Sequence, residues 1–466
     1  MRGFKLIVIA AGFCAVAGCA SVPSYDGIVD QPVNGKAKPQ IVGARGPLSA
    51  EASKALLAKL RTGGNDVDIL QRHLAIEQAV AENPLVAGND VQVLRDGEVT
   101  FRAIFAAIRA AKDHINLEYY TFENVESDGV ALGDLLVAKR AAGVTVNIIY
   151  DSYGSGETPV AFFDRLHKAG VQTVEFNPLN PLKAKVGYSI NDRDHRKILI
   201  VDGKLAIVGG VNLSKSYQSR SPGHPSDRPE GTPTGLPQHW RDTDIQIEGP
   251  VVAQLQKLFI EHWHEQRGPA LAFADYYPTQ QSKGSELVRI LGSTPSDEIP
   301  RYYVTLLSAI RTAEKSIWLS AAYFVPTHDE KKDLMDAARR GVDVRLLLPS
   351  QSDSEMVLNV GRSHYSDLLE AGVKIYEIQG QILHSKTAVI DGVWMVVGSS
   401  NFDQRSVLFN DEVDAVVLGT SGAGALEAMF RDDQAQAHKV DLKTWDERPL
   451  SQKIEELYSR TWQTLL

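Results

Sequence analysis

Two histidines in this 466-residue chain stand in the same local frame. One opens "HRKILIVDGKLAIVGGVN", from His195 to Asn212; the other opens "HSKTAVIDGVWMVVGSSN", from His384 to Asn401. Each frame reads His-x-Lys, four residues, Asp, then a Gly-containing turn ending in Asn. The candidates are therefore His195, Lys197, Asp202 and Asn212, matched by His384, Lys386, Asp391 and Asn401. On a strand, positions i and i+2 face the same side, so each histidine and its lysine aim into one pocket. Ile198 to Val201 are then the buried remainder of the first strand. One His-Lys pair at a strand end is more often structural; two copies in register reverse that weighting.

A phosphodiester suits this set. Its negative charge repels an incoming nucleophile, and two lysines with two asparagines offer donors to its non-bridging oxygens as charge builds up there. One neutral imidazole can attack phosphorus and form a phosphohistidine. The other, as imidazolium, can protonate the departing oxygen and then act as base on water or an alcohol. An unperturbed pKa of about 6.5 fits histidine for both tasks. The lysines supply fixed positive charge, so no metal and no cofactor is expected. Ser399 joins Lys197, Lys386, Asn212 and Asn401 as a candidate phosphate ligand, although its counterpart Gly210 has no side chain to offer and the serine equally suits a turn. Asp202 and Asp391 count with the catalytic set, with a role in strand-to-turn geometry as the alternative. "EHWHEQ" (261–266) lacks His-Glu-x-x-His spacing and ends an amphipathic helix in which Leu258, Phe259 and Trp263 point inward, which argues against a metal. The chain has no Walker loop and no Gly-x-Ser-x-Gly elbow.

The elements that carry these residues are themselves repeated. "FRAIFAAIRAAKDHINLEYYTF" (101–122) matches "YVTLLSAIRTAEKSIWLSAAYF" (303–324), an amphipathic helix followed by an alternating strand. "AAGVTVNIIYDSYGS" (141–155) matches "RRGVDVRLLLPSQSD" (339–353), and "LHKAGVQTVEF" (166–176) matches "LLEAGVKIYEI" (368–378). Helices alternating with β-rich strands indicate an α/β sheet fold in each half. The expected division is a leader at 1–19, a flexible tether at 20–47, a helical segment at 48–94, and two repeated domains at 95–270 and 285–466. The polar stretch 214–239 has no counterpart in the second half and reads as a long loop.

Net charge is −9. Bulk electrostatics therefore draw the chain neither to nucleic acid nor to an anionic membrane, so phosphate chemistry must rely on a local basic site, and no nucleic-acid partner is expected. The N-terminus has Arg2 and Lys5, an apolar stretch from Leu6 to Ala17 and small residues before Cys19. That is a secretory signal too short to span a membrane. Val16-Ala17-Gly18-Cys19 resembles a bacterial lipobox, which implies lipidation of Cys19. Ser21, two residues on, by the same resemblance favours the outer membrane, facing the periplasm. Cys14 falls in the removed segment, so the folded part has no cysteine for a disulfide or a zinc site.

The duplicated His-x-Lys-x4-Asp motif resembles the signature of the phospholipase D superfamily, over residues 80–466. "NPLVAGNDVQVLRDGEVTF", "HWRDTDIQIEGPVV", "SSNFDQRSVLFNDEV" and "WDERPLSQKIEELYSR" are most similar to its cardiolipin synthase branch. The resemblance implies two phospholipase D-like α/β sandwich domains with one active site at their pseudo-twofold interface. It further implies a phosphatidyl group passed from one phosphatidylglycerol to the hydroxyl of another. A phospholipase D that hydrolyses headgroups is the alternative, followed by a nuclease of the same superfamily; an inactive envelope lipoprotein fits the retained motifs poorly. Partners are then a phospholipid substrate and a membrane surface, with a monomer sufficient because both motifs lie in one chain. Family members orient each histidine with a downstream acid. Here these are Asp242, expected to serve His195, and Glu412, expected to serve His384. By the same resemblance His195 is the nucleophile and His384 the general acid. Where many members of that branch carry N-terminal membrane helices, this chain has the lipoprotein-like signal.

Overall fold

The computed structural model describes residues 22–29, 41–61, 83–180, 189–218 and 239–463. The signal with Cys19, and residues 219–238 of the long loop, lie outside the described residues.

Each half is a mixed sheet built to the same plan. In the first, His114–Tyr119 lies parallel to Thr145–Asp151, which lies parallel to Gln172–Phe176. On its other side Lys197–Val201, Leu205–Gly209 and Thr243–Glu248 follow as antiparallel neighbours. In the second, Ser316–Ala321, Asp343–Pro349 and Lys374–Ile378 are the parallel set, and Lys386–Ile390, Trp394–Gly398 and Asn410–Leu418 the antiparallel one. The duplicated α/β fold is the one expected. One core cluster takes residues from both halves, Ile198, Val208 and Ile245 together with Val389, Val397 and Val413. The two units therefore share an interior.

The helical segment expected at 48–94 departs from expectation at its end, and its residues 62–82 lie outside the described residues. Ala50–Arg61 is a helix, but Leu85–Arg95 is an 11-residue strand. Its last six residues pair with Thr243–Glu248 of the first half, and its first part pairs with Glu286–Ser293 of the second. Valines at 86, 91 and 93 favour the strand. Gly88, at φ +94°, stands close to the register shift where the strand passes from one partner to the other. The stretch 20–47 is also more than a tether. Asp26–Val29 forms a helical turn whose Val29 packs with Tyr303, Val304 and Leu307, and Ile41–Gly43 runs parallel to Leu85–Val86.

The strand His114–Tyr119 alternates in residue type, yet every residue in it is buried. Its polar side, His114, Asn116 and Glu118, meets Gln256 and His262 of the helix Val252–Glu265. Alternation here separates an apolar layer from a buried polar one, not core from water. In the same helix Phe259 and Trp263 are buried and Leu258 is partly so, as the periodicity indicates.

Candidate active site

The x4 spacing of the motif is the length of a strand. Lys197 stands at one end of Lys197–Val201, opposite Tyr119, and Asp202 begins the turn at the other. Five residues of strand separate the two by about 16 Å. Asp202 and Gly203 have φ of +51° and +59°, and Asp391 and Gly392 have +53° and +67°, as a tight Asp-Gly hairpin turn requires. The Asp202 carboxylate accepts the backbone N–H groups of Lys112, Asp113 and His114. The Asp391 carboxylate does the same for Glu314, Lys315 and Ser316. Both therefore hold the preceding helix end against the sheet, far from the histidines, which corrects their place in the catalytic set.

At the other end of these strands His195 and His384 line one cleft of ≈ 330 Å³ with Asn212 and Asn401. Both asparagines are buried, and the Asn401 side-chain oxygen has no hydrogen-bond partner. Lys197 is 1% exposed and Lys386 4%. The Lys386 ammonium lies 2.8 and 3.1 Å from the two ring nitrogens of His384. A larger cleft of ≈ 1040 Å³ lies between residues 43–48 and 280–287 and has no histidine in its lining.

The orienting acids are crossed. His195 Nδ1 lies 3.0 and 3.1 Å from the Glu412 oxygens, and His384 Nδ1 lies 2.8 Å from Asp242 Oδ2. Each histidine thus takes its acid from the other half, which overturns the pairing expected from the repeat. Backbone pairing across the halves is the reason. Arg193–Asp194 runs parallel to Asn410–Asp411, and the His195 N–H donates to the Asp411 carbonyl. Trp240–Arg241 runs parallel to Ile382–Leu383, and the His384 N–H donates to the Arg241 carbonyl. With each Nδ1 engaged by an acid, Nε2 is the nitrogen left for the cleft in His195, while in His384 it also lies 3.1 Å from the Lys386 ammonium.

Ser399 is fully buried and donates to Glu412 Oε2, while Asn410 Nδ2 donates to Oε1 at 3.0 Å. Ser399 thus commits its hydroxyl to the orienting carboxylate and to the Val413 backbone, which corrects its assignment as a phosphate ligand. At the matching position a Cβ on Gly210 would stand 2.2 Å from Asp242 Oδ1, so that carboxylate tolerates no side chain there.

The two histidines differ in their electrostatics. Burial holds His195 well below the usual imidazole range, and Lys197, Lys386, His384 and Arg405 act in the same direction. Burial and Lys386 lower His384 to about 4, but its hydrogen bond and charge attraction to Asp242 oppose them. Burial lowers Lys197 to about 7 and Lys386 to about 8, in both cases against nearby carboxylates, and it raises Glu412 to about 7.

Several members of the site were not singled out from sequence. Tyr120 and Tyr323 pack edge-on against His195 and His384, and Tyr217 Oη stands 2.9 Å from His384 Nδ1. Arg193 and Arg405 line the cleft, and Arg405 was visible only as part of the quoted "SSNFDQRSVLFNDEV". Behind His195 a fully buried cluster joins Arg196 to Glu118 at 3.2 Å and to Asp411 at 3.8 Å, with His262 Nδ1 2.8 Å from Glu118. Burial raises Glu118 to about 7. Donor atoms of Glu118, Asp194 and His262 lie within 4.8 Å of one another, and the Arg196 guanidinium already supplies positive charge beside them.

The sequence matches the family described as "Cardiolipin synthase, PLD-like domain" over residues 104–221 and 306–434. It is 34% identical over 396 residues to a cardiolipin synthase of Geobacillus sp. (strain WCH70), covering 84% of this chain and 76% of that one. It is 32% identical over 384 residues to the probable cardiolipin synthase YwiE of Bacillus subtilis (strain 168), covering 81% and 72%. The fold is similar to that of phosphatidylserine synthase from Haemophilus influenzae Rd KW20, with a TM-score of 0.60 at 13% identity, over 84% of this chain and 96% of that one.

Proposed function

The chain belongs to the cardiolipin synthase, phospholipase D-like family, and from that membership we propose that it is a phosphatidyltransferase. It takes the phosphatidyl group of one phosphatidylglycerol onto a histidine, releases glycerol, and passes the group to the hydroxyl of a second phosphatidylglycerol. The observation that carries this reading is the convergence in one cleft of two imidazoles, each held through Nδ1 by an acid from the other half.

His195, whose neighbouring cations all oppose protonation, is the nucleophile; its Nε2 attacks phosphorus, and Glu412 holds the ring by Nδ1. His384, with Asp242 favouring its charged form, protonates the departing glycerol oxygen and then removes the proton of the acceptor hydroxyl. The entering phosphodiester anion itself raises the pKa of both imidazoles, which brings a proton to His384 when it is needed. Lys197 and Lys386, with Asn212 and Asn401, receive the non-bridging oxygens. Incubation of the purified protein with phosphatidylglycerol, followed by mass spectrometry of the lipids, tests the reading. Cardiolipin and glycerol are expected; phosphatidic acid alone would make the protein a hydrolase.

The address follows from the leader sequence. Cys19 is lipidated and holds the enzyme, a monomer, on the periplasmic side of the outer membrane. Among the described residues no helix is long and apolar enough to cross a membrane. Unchanged mass and membrane fractionation after Cys19→Ser would remove this part of the proposal.

A further inference from the structure

The last helix of the described chain, Leu450–Arg460, faces the wrong way for an ordinary surface helix. Leu450, Ile454, Leu457 and Tyr458 are 71, 57, 66 and 63% exposed, while Glu456 and Ser459 are buried. At 100° per residue the four apolar side chains form one stripe and the two buried polar ones lie on the opposite face. Specific contacts fix this orientation. Arg448 forms a two-point ion pair with the buried Glu456 and covers the Trp445 ring at 4.3 Å, and Gln463 Nε2 donates to the Pro326 carbonyl.

The helix packs on Glu355–Arg362. That neighbour is capped by Ser354, next to Asp353, which accepts the Tyr323 hydroxyl in the wall of the histidine cleft. Two further exposed apolar residues lie on segments next to cleft residues in sequence or by hydrogen bond. Met356 is on the neighbouring helix; Ile190 precedes Asn191, whose carbonyl accepts from Arg405 of the cleft.

We propose that helix 450–460 lies in the interface of a phospholipid bilayer, its apolar stripe among the acyl chains, and holds the cleft mouth against the surface. The inference rests on the reading of the cleft as a phospholipid site. A cleft of ≈ 330 Å³ takes a headgroup phosphodiester but leaves the acyl chains outside, so the lipid reacts while rooted in its bilayer. Lys453, which also donates to the Asp446 carbonyl, and Arg460 border one edge of the stripe, Glu455 borders the other, and Trp462 follows it. Basic side chains beside an apolar stripe, with an aromatic ring near the end, match an anionic lipid surface better than the polar face of a second copy.

The test uses the full chain carrying Cys14→Ser and Cys19→Ser, with Leu457→Cys labelled by an environment-sensitive fluorophore. On addition of phosphatidylglycerol vesicles the emission shifts to the blue and is quenched by lipids brominated on their acyl chains, in 0.5 M salt as well as at low salt. Unchanged emission overturns the proposal. So does a blue shift that depends on protein concentration without vesicles, which marks a second copy on the stripe. In a separate variant, Ile454→Asp with Leu457→Asp raises the apparent KM for vesicle substrate about 100-fold, at about 10-fold per residue withdrawn from lipid. Its turnover of a soluble short-chain phosphodiester stays at the parent level, which shows that it is folded; an unchanged vesicle KM also overturns the proposal. Insertion of the label without any phosphatidyl transfer would leave the helix assignment standing and remove the transferase reading instead.

Discussion

The two halves place the same strand, turn and histidine in the same positions, yet they differ where each receives its neighbour's acid. Glu412 is cradled by Ser399 and Asn410, whereas Asp242 lies against a bare glycine, Gly210. The His384 ring is crowded by Tyr217, Trp240 and Tyr323, while among aromatic rings His195 has Tyr120 beside it. Repetition supplies two copies of one reactive group in unlike surroundings, and the proposed division into nucleophile and acid needs such a difference.

Removal of either histidine tests that division most severely. His195→Ala and His384→Ala should each lower turnover of phosphatidylglycerol by on the order of 10⁴–10⁶-fold. With a p-nitrophenyl phosphodiester, whose leaving group needs no proton, His384→Ala should still form phosphoenzyme and His195→Ala none. Peptide mapping of acid-quenched protein reads this directly, and a phosphoryl group on His384 in the parent enzyme would reverse the roles.

The crossing is the next target. Glu412→Gln and Asp242→Asn should each lower kcat by about 10²–10⁴-fold, because each leaves an imidazole unheld. Glu412→Gln should move the ¹⁵N resonances of His195 and Asp242→Asn those of His384; the reverse pattern would uncross the site. Gly210→Ala should resemble Asp242→Asn, since its methyl displaces that carboxylate. Ser399→Gly, which copies the first half into the second, should reduce kcat by only about 10-fold, the worth of one hydrogen bond to a charged group.

Asp202→Ala and Asp391→Ala should act on stability and spare the chemistry. Each strips a shared acceptor from three backbone N–H groups and should lower the unfolding free energy by about 2–4 kcal/mol in urea titrations, with kcat per folded molecule unchanged. A proportional loss of kcat would return them to the catalytic set.

The pH profile has a worked sign. Depressed imidazole pKa values keep His195 neutral to below its ordinary value of about 6.5, so the acid limb of kcat/KM should fall below that pH. Lys197 at about 7 and Lys386 at about 8 lose their charge as pH rises, so kcat/KM should begin to decline above about 7 and fall further above about 8. Lys386→Arg, which cannot deprotonate there, should flatten that decline if the variant binds. The smallest effect is expected from EDTA, which should leave activity unchanged because lysines supply the charge; loss restored by zinc or magnesium would contradict this.

The repeat, the α/β plan and the identities of both histidines, both lysines and both acids were legible in the sequence. Aligning two halves shows which residue corresponds to which, but not across which side of a twofold each side chain reaches. The crossing depends on two short strand pairings between segments far apart in sequence, Arg193–Asp194 with Asn410–Asp411 and Trp240–Arg241 with Ile382–Leu383. The cluster of Glu118, Arg196 and His262 escaped notice for another reason. Alternating polar residues normally mark a solvent face, and here a second buried layer lies behind them. The strand Leu85–Arg95 is obscured in the sequence because Gly88, Asn89 and Asp90 interrupt its apolar pattern midway, where it changes partners.

That strand sets a problem for synthesis. It leaves the ribosome early, yet its partners are Thr243–Glu248 and Glu286–Ser293. At a synthesis rate of about 5–20 residues per second, the second partner follows about 10–40 s later. Until those partners arrive, an apolar, β-prone segment has, of its sheet neighbours among the described residues, only the short strand Ile41–Gly43 beside it, and its open edges are a template for pairing with neighbouring nascent chains. Completion of the second half closes it, so a truncated product that ends after the first motif would release not half an enzyme but an aggregation seed.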